Sequence, residues 1–399
     1  MDALQNIDSA GAPSVDGVVD WLTNGTRDER FIDNIFAELC IRIRRAGVPV
    51  KRTTLHFLIQ HPQWLGARML WVDGMRDAEI DLVDYEVRET SAYIGSPGNE
   101  IMEGATEIRE KLEGDRSQGR KHALYDELRA QGLTEYVAWP LLHTLGKKHF
   151  LTFSTDTPGG FGDADIAALK KVLPVLALVS EIRIKNRMAR TLLETYVGAH
   201  AGDLILAGAT RRGSGTTVRA AILICDMRDF TGISDNWPRD DVIDLLNDYF
   251  DAMSEPIVRR GGEILKFMGD GLLAIFPLSD PQACANLLYA VTEARRAIDA
   301  LNERDSGSGR APLNYGVGVH VGDVMYGNIG SRSRLDFTVI GPAVNMASRL
   351  ETLTKQTGRK VLLSRAFADL VANDFQLERV GEYPVRGFKD PIELFAYHG

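Results

Sequence analysis

The sequence predicts a chain of two α+β domains joined by a long helix, and three observations lead to that prediction. The chain has 399 residues, 44% of them hydrophobic, which suffices for two domains with sizeable cores. A glycine-rich stretch, AHAGDLILAGATRRGSGTTVRA, marks a boundary, and beyond it the pattern changes to alternating strands and helices. The predicted divisions are a flexible N-terminal tail over 1–26, a first domain over 27–180, a helical and glycine-rich linker over 181–217, and a second domain over 218–399.

The charge and the cysteine content restrict the classes of partner. A formal net charge of -9 argues against a nucleic-acid or anionic-membrane surface, because such surfaces need clustered positive charge. The N-terminal segment has acids, a proline and no apolar core, so we expect no signal peptide, and no window reaches the roughly 18 apolar residues of a membrane span. The three cysteines fit neither a disulfide framework nor a metal-binding spacing. We expect a cytoplasmic protein that binds neither nucleic acid nor membrane.

The first domain combines an amphipathic helix with several strands. Apolar residues recur at helical spacing in WLTNGTRDERFIDNIFAELCIRIRRAG, whereas TTLHFLIQ, ARMLWV, EYVAWPLLH and KHFLTFST are typical of strands. Asp163 is the predicted N-cap of a long helix that reaches Tyr196, and Pro174 should kink it. That helix either packs on its own domain or continues as a coiled-coil-like dimer seam, and different parts of it can do each.

In the second domain, the predicted elements follow the order βαββαβ, with a further helix and strands behind them. This order predicts a ferredoxin-like sheet with helices on one face. Because many functions share such a sheet, the chemistry has to be inferred from the site residues.

Two aspartates fall at the predicted ends of neighbouring strands. Asp226 ends the first strand of the second domain, and Asp270 lies at the tip of the hairpin EILKFMGDGLLAIF. Converging carboxylates can hold hard divalent cations, which in turn hold phosphate oxygens. The alternative is an ordinary turn aspartate, since Asp and Gly both favour tight turns. After Asp226, the residues MRDFT enter a turn whose backbone N–H groups, including those of Phe230 and Thr231, can bind a phosphate.

Three further polar residues stand in patterns that permit two interpretations. Lys266, inside the apolar run ILKFM, either extends to solvent or faces a polar pocket, because a buried ammonium needs acceptors. Asn345 and Arg349 are spaced i, i+4 and therefore share one helix face. An amide beside a guanidinium suits a sugar and a phosphoryl group in transit. The alternative for this pair is an exposed polar stripe.

Four motifs in this order resemble the catalytic domain of the class III nucleotidyl cyclases: CDMRDFT, EILKFMGDG, DFTVIGPAVNMASRLE and VRGFKDPIELF. The resemblance covers residues 218–398. It implies that two such domains pack head to tail with ATP at their interface. One chain would supply the metal-binding aspartates of each site, and its partner would supply the base-reading and transition-state residues.

The resemblance implies a role for each matching residue. Asp226 and Asp270, helped by the backbone carbonyl of Met227, would bind two Mg²⁺ or Mn²⁺ ions. Asn345 would orient the ribose, and Arg349 would stabilise the charge that grows on the α-phosphate.

The purine readers implied by the resemblance are Lys266, which donates to adenine N1, and Thr338, which accepts from the adenine amino group. Asp336, two residues earlier on the same side of the strand, is the reserve candidate. Guanylyl cyclases of the family place Glu and Cys at the positions of Lys266 and Thr338, so adenine is expected. A threonine there is typical of a subgroup in which bicarbonate stimulates some members.

Two positions depart from the family pattern or leave it open. The family often has glycine where Asp229 stands, and an acid there either weakens binding of the metal and nucleotide or points to solvent. For the terminal phosphates, Arg386 aligns best with the family lysine, and Lys389 follows three residues later.

The first domain resembles a GAF-type sensory domain, chiefly through YVAWPLLH, HFLTFST and the helix start GFGDADIAALKKVLPVLALVSE. No pattern in this domain identifies its regulatory ligand. Cys40 can in principle anchor a chromophore, although a buried structural thiol is the better interpretation.

These residues lead to one primary hypothesis, a homodimeric adenylyl cyclase that makes 3',5'-cyclic AMP and pyrophosphate from ATP and is regulated through its first domain. The homodimer is expected to form through the catalytic domains and the linker helix. The alternatives are a guanylyl cyclase and a catalytically silent nucleotide-binding sensor. The intact set Asp226, Asp270, Lys266, Asn345 and Arg349 counts against the silent sensor.

Overall fold

The computed structural model describes residues 14–58, 64–114, 119–307, 312–385 and 390–399. The chain folds into two units, Met1–Leu192 and Leu193–Gly399, and the division between them falls inside the predicted linker. In the described ranges, no helix combines the length and the apolar character that crossing a bilayer requires.

A six-stranded antiparallel sheet organises the first unit. Its strands are β1 Arg52–Leu58, β2 Gly66–Val72, β3 Glu79–Val83, β4 Ile108–Lys111, β5 Glu135–Leu142 and β6 Lys148–Thr155, and they lie in the order β3-β2-β1-β6-β5-β4. The helices are α1 Val15–Asp20, α2 Ile32–Arg45, α3 Pro97–Glu103, α4 Ala123–Ala130 and α5 Asp163–Val197. A π-helical turn, Trp21–Gly25, follows α1, and short 3₁₀ turns lie at Tyr85–Glu89 and Thr144–Gly146.

Different helices cover the two faces of this sheet. Side chains alternate along β1, so Leu55 and Phe57 join α2 and α5 in one core. On the opposite face, which we call the outer face, a smaller core includes Ile101 of α3 and Leu128 of α4. Helix α5 is 35 residues long, and it continues past Pro174, which lies in its interior.

The chain is already helical inside the predicted flexible tail, and this part of the prediction is wrong. Helix α1 and the π-helical turn after it bury Val18 and Leu22 in the core beside α2. The hydroxyl of Ser14 caps α1 by accepting a hydrogen bond from the N–H of Gly17 at 3.2 Å. The segment VDGVVDWLTNG is short and contains two glycines, so helix propensity alone does not predict it.

A second sheet organises the unit Leu193–Gly399. Its strands are β7 Gly215–Met227, β8 Glu263–Met268, β9 Gly271–Pro277, β10 Tyr315–Gly330, β11 Leu335–Ile340, β12 Val361–Ser364, β13 Glu378–Tyr383 and β14 Ile392–Ala396. They lie in the order β13-β14-β12-β10-β7-β9-β8, and β11 pairs with β10. The helices are α6 Ala199–Leu206, α7 Phe230–Asn236, α8 Arg239–Arg259, α9 Ala283–Arg304, α10 Pro342–Thr357 and α11 Arg365–Val371.

The central strands of the second unit have the predicted ferredoxin-like arrangement. The strands β7, β8, β9 and β10 take the spatial order β10-β7-β9-β8, in which every neighbouring pair is antiparallel. Helix α8 connects the first two of these strands, and α9 connects the last two. The predicted mixed α+β class is therefore confirmed.

Helices cover both faces of this sheet, whereas the sequence predicted helices on one face. Helices α8, α9 and α11 pack on one face against residues such as Leu223 and Cys225. Helices α6 and α10 pack on the other face against Ile222 and Ile224. The reason lies in the β7 segment AAILIC, which is apolar at consecutive positions, because a strand with such a run is buried on both sides.

Candidate active site

The two predicted metal-binding aspartates lie next to each other in the second sheet. Asp226 on β7 is the register partner of Gly271 on β9, which directly follows Asp270 in the tight turn from β8. The N–H of Met227 donates to the backbone carbonyl of Asp270 at 3.3 Å. The structure therefore brings both aspartates to one end of the paired strands β7 and β9, and we call them the acidic pair.

The acidic pair carries an electrostatic cost. Asp226 is half-buried, and burial raises the pKa of its carboxyl group; the negative charge of Asp270 raises this pKa further. Glycine is needed beside the pair, because a Cβ on Gly271 would lie 2.8 Å from Asp226 Oδ1.

The acidic pair suits a divalent cation that has further ligands. Among the described residues, no group of three or more His, Cys, Asp or Glu side chains is placed to hold a metal ion. Mg²⁺, however, is commonly held by one or two carboxylates together with waters and substrate phosphates. Asp226 and Asp270 match that pattern, and a cation between them would relieve their repulsion.

The turn after β7 explains one departure from the family pattern. Asp229 has a φ of 58°, in the left-handed region where glycine is the least strained residue. Aspartate is one of the few other residues that tolerate this region. The side chain of Asp229 is exposed, and Phe230 and Thr231 follow as the first residues of α7. Both aspartate and glycine are therefore compatible with the backbone conformation found at this position.

Sequence reasoning missed a buried ion pair beside the acidic pair. The guanidinium of Arg228 contacts Glu351 of α10, with 3.3 Å between Nη1 and Oε1. Burial raises the pKa of Glu351, and the charge of Arg228 offsets part of that effect. The two side chains fit because Gly316, the register partner of Asp226 on β10, has no side chain; a Cβ there would collide with Arg228 and Thr354.

The sequence signal for this close packing is the glycine pattern YGVGVHVG on β10. A Cβ on Gly318 would collide with the backbone of Ala347, and a Cβ on Gly322 would lie 2.8 Å from Cβ of Ala343. Glycine within a strand often marks the close approach of another backbone. Helix α10 therefore lies directly on β10.

We expect Arg228→Met to destabilise the second unit by about 3–5 kcal/mol, because it leaves the buried Glu351 carboxylate without its partner. The double variant Arg228→Met/Glu351→Met should recover most of this loss, since apolar residues of similar volume often replace a buried ion pair at no cost. Differential scanning calorimetry of the 399-residue chain measures both effects, with the exposed Arg259→Met as a matched control. A double variant no more stable than Arg228→Met would contradict this explanation.

The predicted purine readers lie on β8 and β11. Lys266 Nζ donates to Asp336 Oδ2 at 2.7 Å, and the two side chains are 46% and 39% exposed. The ammonium of Lys266 lowers the pKa of Asp336. Thr338 is half-buried on the same face of β11, two residues further along. The structure therefore places the reserve candidate, Asp336, in direct contact with Lys266, with Thr338 nearby on the same strand.

Helix α10 carries Asn345, which is exposed, and Arg349, which is half-buried. Ala343 lies against Gly322 and Ala347 against Gly318, so the turn of α10 that carries Asn345 crosses β10 over residues 318–322. Asp226 instead pairs with Gly316, about four strand residues or roughly 13 Å further along. One chain thus keeps its acidic pair and its Asn345 apart.

Two predicted residues cannot be placed. Arg386 and Lys389, the candidates for the terminal phosphates, lie outside the described residues. Val385, which directly precedes them, is buried in a core that also includes Leu350 of α10 and Leu394 of β14.

Residues 214–399 match the family model described as the adenylate and guanylate cyclase catalytic domain. The match covers most of the second unit and supports a nucleotide cyclase catalytic domain there. This finding confirms the resemblance that the sequence motifs carry for that part of the chain.

Adenylate cyclases are among the proteins similar to this chain. An adenylate cyclase of Anabaena cylindrica is 39% identical over 158 residues, which are 39% of this chain and 31% of the relative. Adenylate cyclase 1 of Rhizobium meliloti (strain 1021) is 26% identical over 290 residues, which are 69% of this chain and 44% of the relative. The chain thus spans less than half the length of either relative.

Solved structures similar to this chain include cyclases of both kinds. The adenylyl cyclase CyaB from P. aeruginosa is 26% identical, with 47% of this chain and 96% of that chain covered and a TM-score of 0.43. The guanylyl cyclase Cya2 is 30% identical, with 46% of this chain and 94% of that chain covered and a TM-score of 0.42.

Proposed function

We propose that the protein is an adenylyl cyclase that converts ATP to 3',5'-cyclic AMP and pyrophosphate at sites shared by two copies of the chain. The observation that carries this proposal is the distribution of polar residues within one copy. The acidic pair lies at the end of β7, while the turn of α10 that carries Asn345 crosses β10 roughly 13 Å further along that strand. A two-fold dimer can complete each half-site with the opposite half from the second copy.

Asp226, Asp270 and the backbone carbonyl of Met227 are the groups that would hold two Mg²⁺ or Mn²⁺ ions. When bound, such cations lower the pKa of a ribose 3'-hydroxyl and offset the charge of a leaving pyrophosphate. The adjacency of the two aspartates and the raised pKa of Asp226 support this assignment, because two neighbouring carboxylates without a cation repel each other.

Other residues of the chain would position the nucleotide. The backbone N–H groups of Phe230 and Thr231, at the start of α7, would bind phosphate oxygens. Asn345 would hold the ribose so that its 3'-oxygen is in line with the α-phosphate. Arg349 would stabilise the negative charge that grows on the α-phosphate during attack.

The proposed base is adenine. Lys266 would donate to adenine N1, and Thr338 or Asp336 would accept from the amino group. The contact of Lys266 with Asp336 sets a donor beside an acceptor, which is the combination that the adenine edge requires. Guanine requires the reverse arrangement, an acceptor opposite its N1–H and a donor opposite its O6. A guanylyl cyclase is therefore the second candidate. The residues Lys266 and Thr338 favour adenine, because guanylyl cyclases of the family have Glu and Cys there.

Exposed apolar side chains around the purine readers support dimerisation through this domain. Phe267 and Met268 on β8 are exposed, and so are Leu335 and Ile340 on β11. Because β8 and β11 also carry the purine readers, these apolar residues lie on the strands that frame the base site. Exposed apolar patches mark interaction surfaces, and a second copy of this chain is the partner that the incomplete site requires.

We also propose the linker helix as a dimer contact and the first unit as a GAF-type regulatory domain. Leu178 and Ile182 of α5 are exposed and, at positions i and i+4, share one helix face. An apolar stripe of this kind is typical of a coiled-coil seam. A regulatory ligand would act through its different affinities for the active and inactive states of the dimer.

Incubation of the purified chain with ATP and Mn²⁺ or Mg²⁺ is expected to yield 3',5'-cyclic AMP, which chromatography identifies. GTP is tested in parallel. Asp226→Asn is the inactive control, because it removes one anionic ligand with almost no change in volume. Cyclic GMP as the main product would make the chain a guanylyl cyclase, and no product with either nucleotide and either metal would favour the silent sensor.

A further inference from the structure

The first unit contains a cavity of about 380 Å³ that the proposed cyclase chemistry does not use. Its floor is the outer face of the six-stranded sheet, and its roof includes α3, the start of α4 and the 3₁₀ turn before α3. Pockets that bind small molecules typically enclose about 300–1,000 Å³. The volume therefore suits a small organic molecule.

Most of the cavity wall is apolar or uncharged. Phe150, Tyr136 and Met102 contribute to it. The ring of His56 stacks on Phe150 with their centroids 4.0 Å apart, and His56 Nε2 shares a hydrogen bond with Thr54 Oγ1 at 2.9 Å. Burial lowers the pKa of His56 to about 3, so its imidazole is neutral at physiological pH. Such a wall favours a ligand with an apolar body.

One arginine in this wall has no close anionic partner. Arg52 is half-buried at the start of β1, and burial together with the charge of Arg68 lowers the pKa of its guanidinium. Arg68, the other arginine of the cavity, donates from Nε to Asp81 Oδ2 at 3.0 Å. In the described part of the chain, Arg52 has only longer-range attraction to Glu127 and Tyr136 and makes no side-chain hydrogen bond.

His122 offers a second unused donor in the same cavity. Its Nδ1 accepts a hydrogen bond from the N–H of Leu124 at 3.2 Å and so caps α4. In the neutral tautomer, the ring proton is therefore on Nε2. This Nε2 is buried and has no hydrogen-bond partner among the described residues. A buried donor and a half-buried guanidinium that lack partners both reduce stability, and a bound anion would reverse that loss.

We propose that this cavity binds a small organic monocarboxylate whose apolar body is about the size of one aromatic ring, with the carboxylate held by Arg52. A guanidinium matches a carboxylate through two parallel N–H···O hydrogen bonds. The charged lining, Arg52, Arg68, Asp81 and Glu127, has no net charge, which disfavours a dianion such as a phosphate monoester. This inference does not depend on the cyclase activity of the second unit.

The test is line broadening in fluorine NMR, with para-trifluoromethylbenzoate as the probe and the uncharged para-trifluoromethylbenzamide as its matched control. On addition of the 399-residue chain, we expect saturable broadening of the benzoate signal and binding of the benzamide at least about tenfold weaker. Arg52→Met should weaken benzoate binding by a similar factor. Arg76→Met removes an exposed arginine of the same unit outside the cavity and should leave benzoate binding unchanged.

Two further measurements separate binding from folding and locate the probe. Arg52→Met should unfold at the same or a higher temperature than the wild type, because it removes an unpaired, half-buried charge. Ala123→Trp places a large ring at the cavity wall and should weaken binding of both probes. The proposal is wrong if millimolar benzoate shows no broadening, if the benzamide binds as tightly, or if Arg52→Met or Ala123→Trp binds the benzoate like the wild type.

Discussion

Mixing Asp270→Ala with Asn345→Ala chains is expected to restore about a quarter of the wild-type cyclase activity, although each variant alone should be nearly inactive. A homodimer of either variant lacks the same group in both sites. In a mixed dimer, one site carries both lesions, while the other combines an intact acidic pair from one chain with an intact Asn345 from the other. Random pairing of equal amounts makes half of the dimers mixed, each with one working site of two, which gives about a quarter.

The geometry of one chain supports the premise of this experiment. Asp270 lies beside Asp226 at the end of β7, whereas the turn of α10 that carries Asn345 crosses a stretch of β10 that pairs with an earlier part of β7. Removing one group that stabilises transition-state charge typically lowers turnover by about 10²–10³. Recovery to a quarter of the wild-type rate would therefore stand far above the activity of either variant alone.

A matched control combines two lesions from the same half-site. Mixing Asn345→Ala with Arg349→Ala should restore nothing, because every site of a mixed dimer then receives a mutated α10. Differential tags confirm that mixed dimers form before the assay with ATP and Mn²⁺. If the test mixture shows no recovery, each chain carries a complete site. If the control mixture recovers, Asn345 and Arg349 serve different sites.

Local signals in the sequence were sufficient to predict where Asp226 and Asp270 lie in the fold. The turn needs a φ of 66° at Gly269 and no side chain at Gly271, so the tripeptide around Asp270 already specifies a tight turn. Asp226 is recognisable because it stands where a long apolar strand ends. Both inferences depend only on neighbouring residues and on strand periodicity.

Contacts between distant segments could not be predicted in this way. Lys266 meets Asp336 70 residues later, because β11 pairs with the end of β10 and also contacts β8. Arg228 meets Glu351 only because α10 lies on the glycines of β10. Periodicity shows which residues share a face of an element, but it does not show which distant element packs against that face. The helices on the second face of the catalytic sheet were missed for the same reason.

Exchanging the purine readers is expected to lower ATP turnover by at least about tenfold relative to GTP turnover. Lys266→Glu/Thr338→Cys replaces the donor to adenine N1 with an acceptor and removes the hydroxyl that would accept from the amino group. Each unpaired or mismatched group costs about 1–3 kcal/mol of transition-state binding, and every 1.4 kcal/mol is about tenfold.

The structure adds a condition to this experiment. A carboxylate introduced at position 266 would stand against Asp336, whose Oδ2 now lies 2.7 Å from Lys266 Nζ. Two carboxylates at such a separation repel, and this repulsion raises the pKa of one of them. A protonated carboxyl at position 266 is again a donor to adenine N1, so the double variant would keep part of its adenine preference. Adding Asp336→Asn removes the competing charge, and the triple variant should discriminate against ATP more strongly than the double variant.

The single variant Asp336→Asn decides which residue is the second purine reader. If Thr338 accepts from the adenine amino group, Asp336→Asn should leave the ratio of kcat/KM for ATP to that for GTP within about twofold of the wild-type ratio. A fall of about tenfold or more would assign this role to Asp336, because an amide can turn its NH₂ group toward the base and present a donor to a donor. Steady-state kinetics with both nucleotides on the wild type and the single, double and triple variants measure all of these ratios. If ATP kinetics survived the triple substitution unchanged, β8 and β11 would not read the base, and the adenine assignment for Lys266 would be wrong.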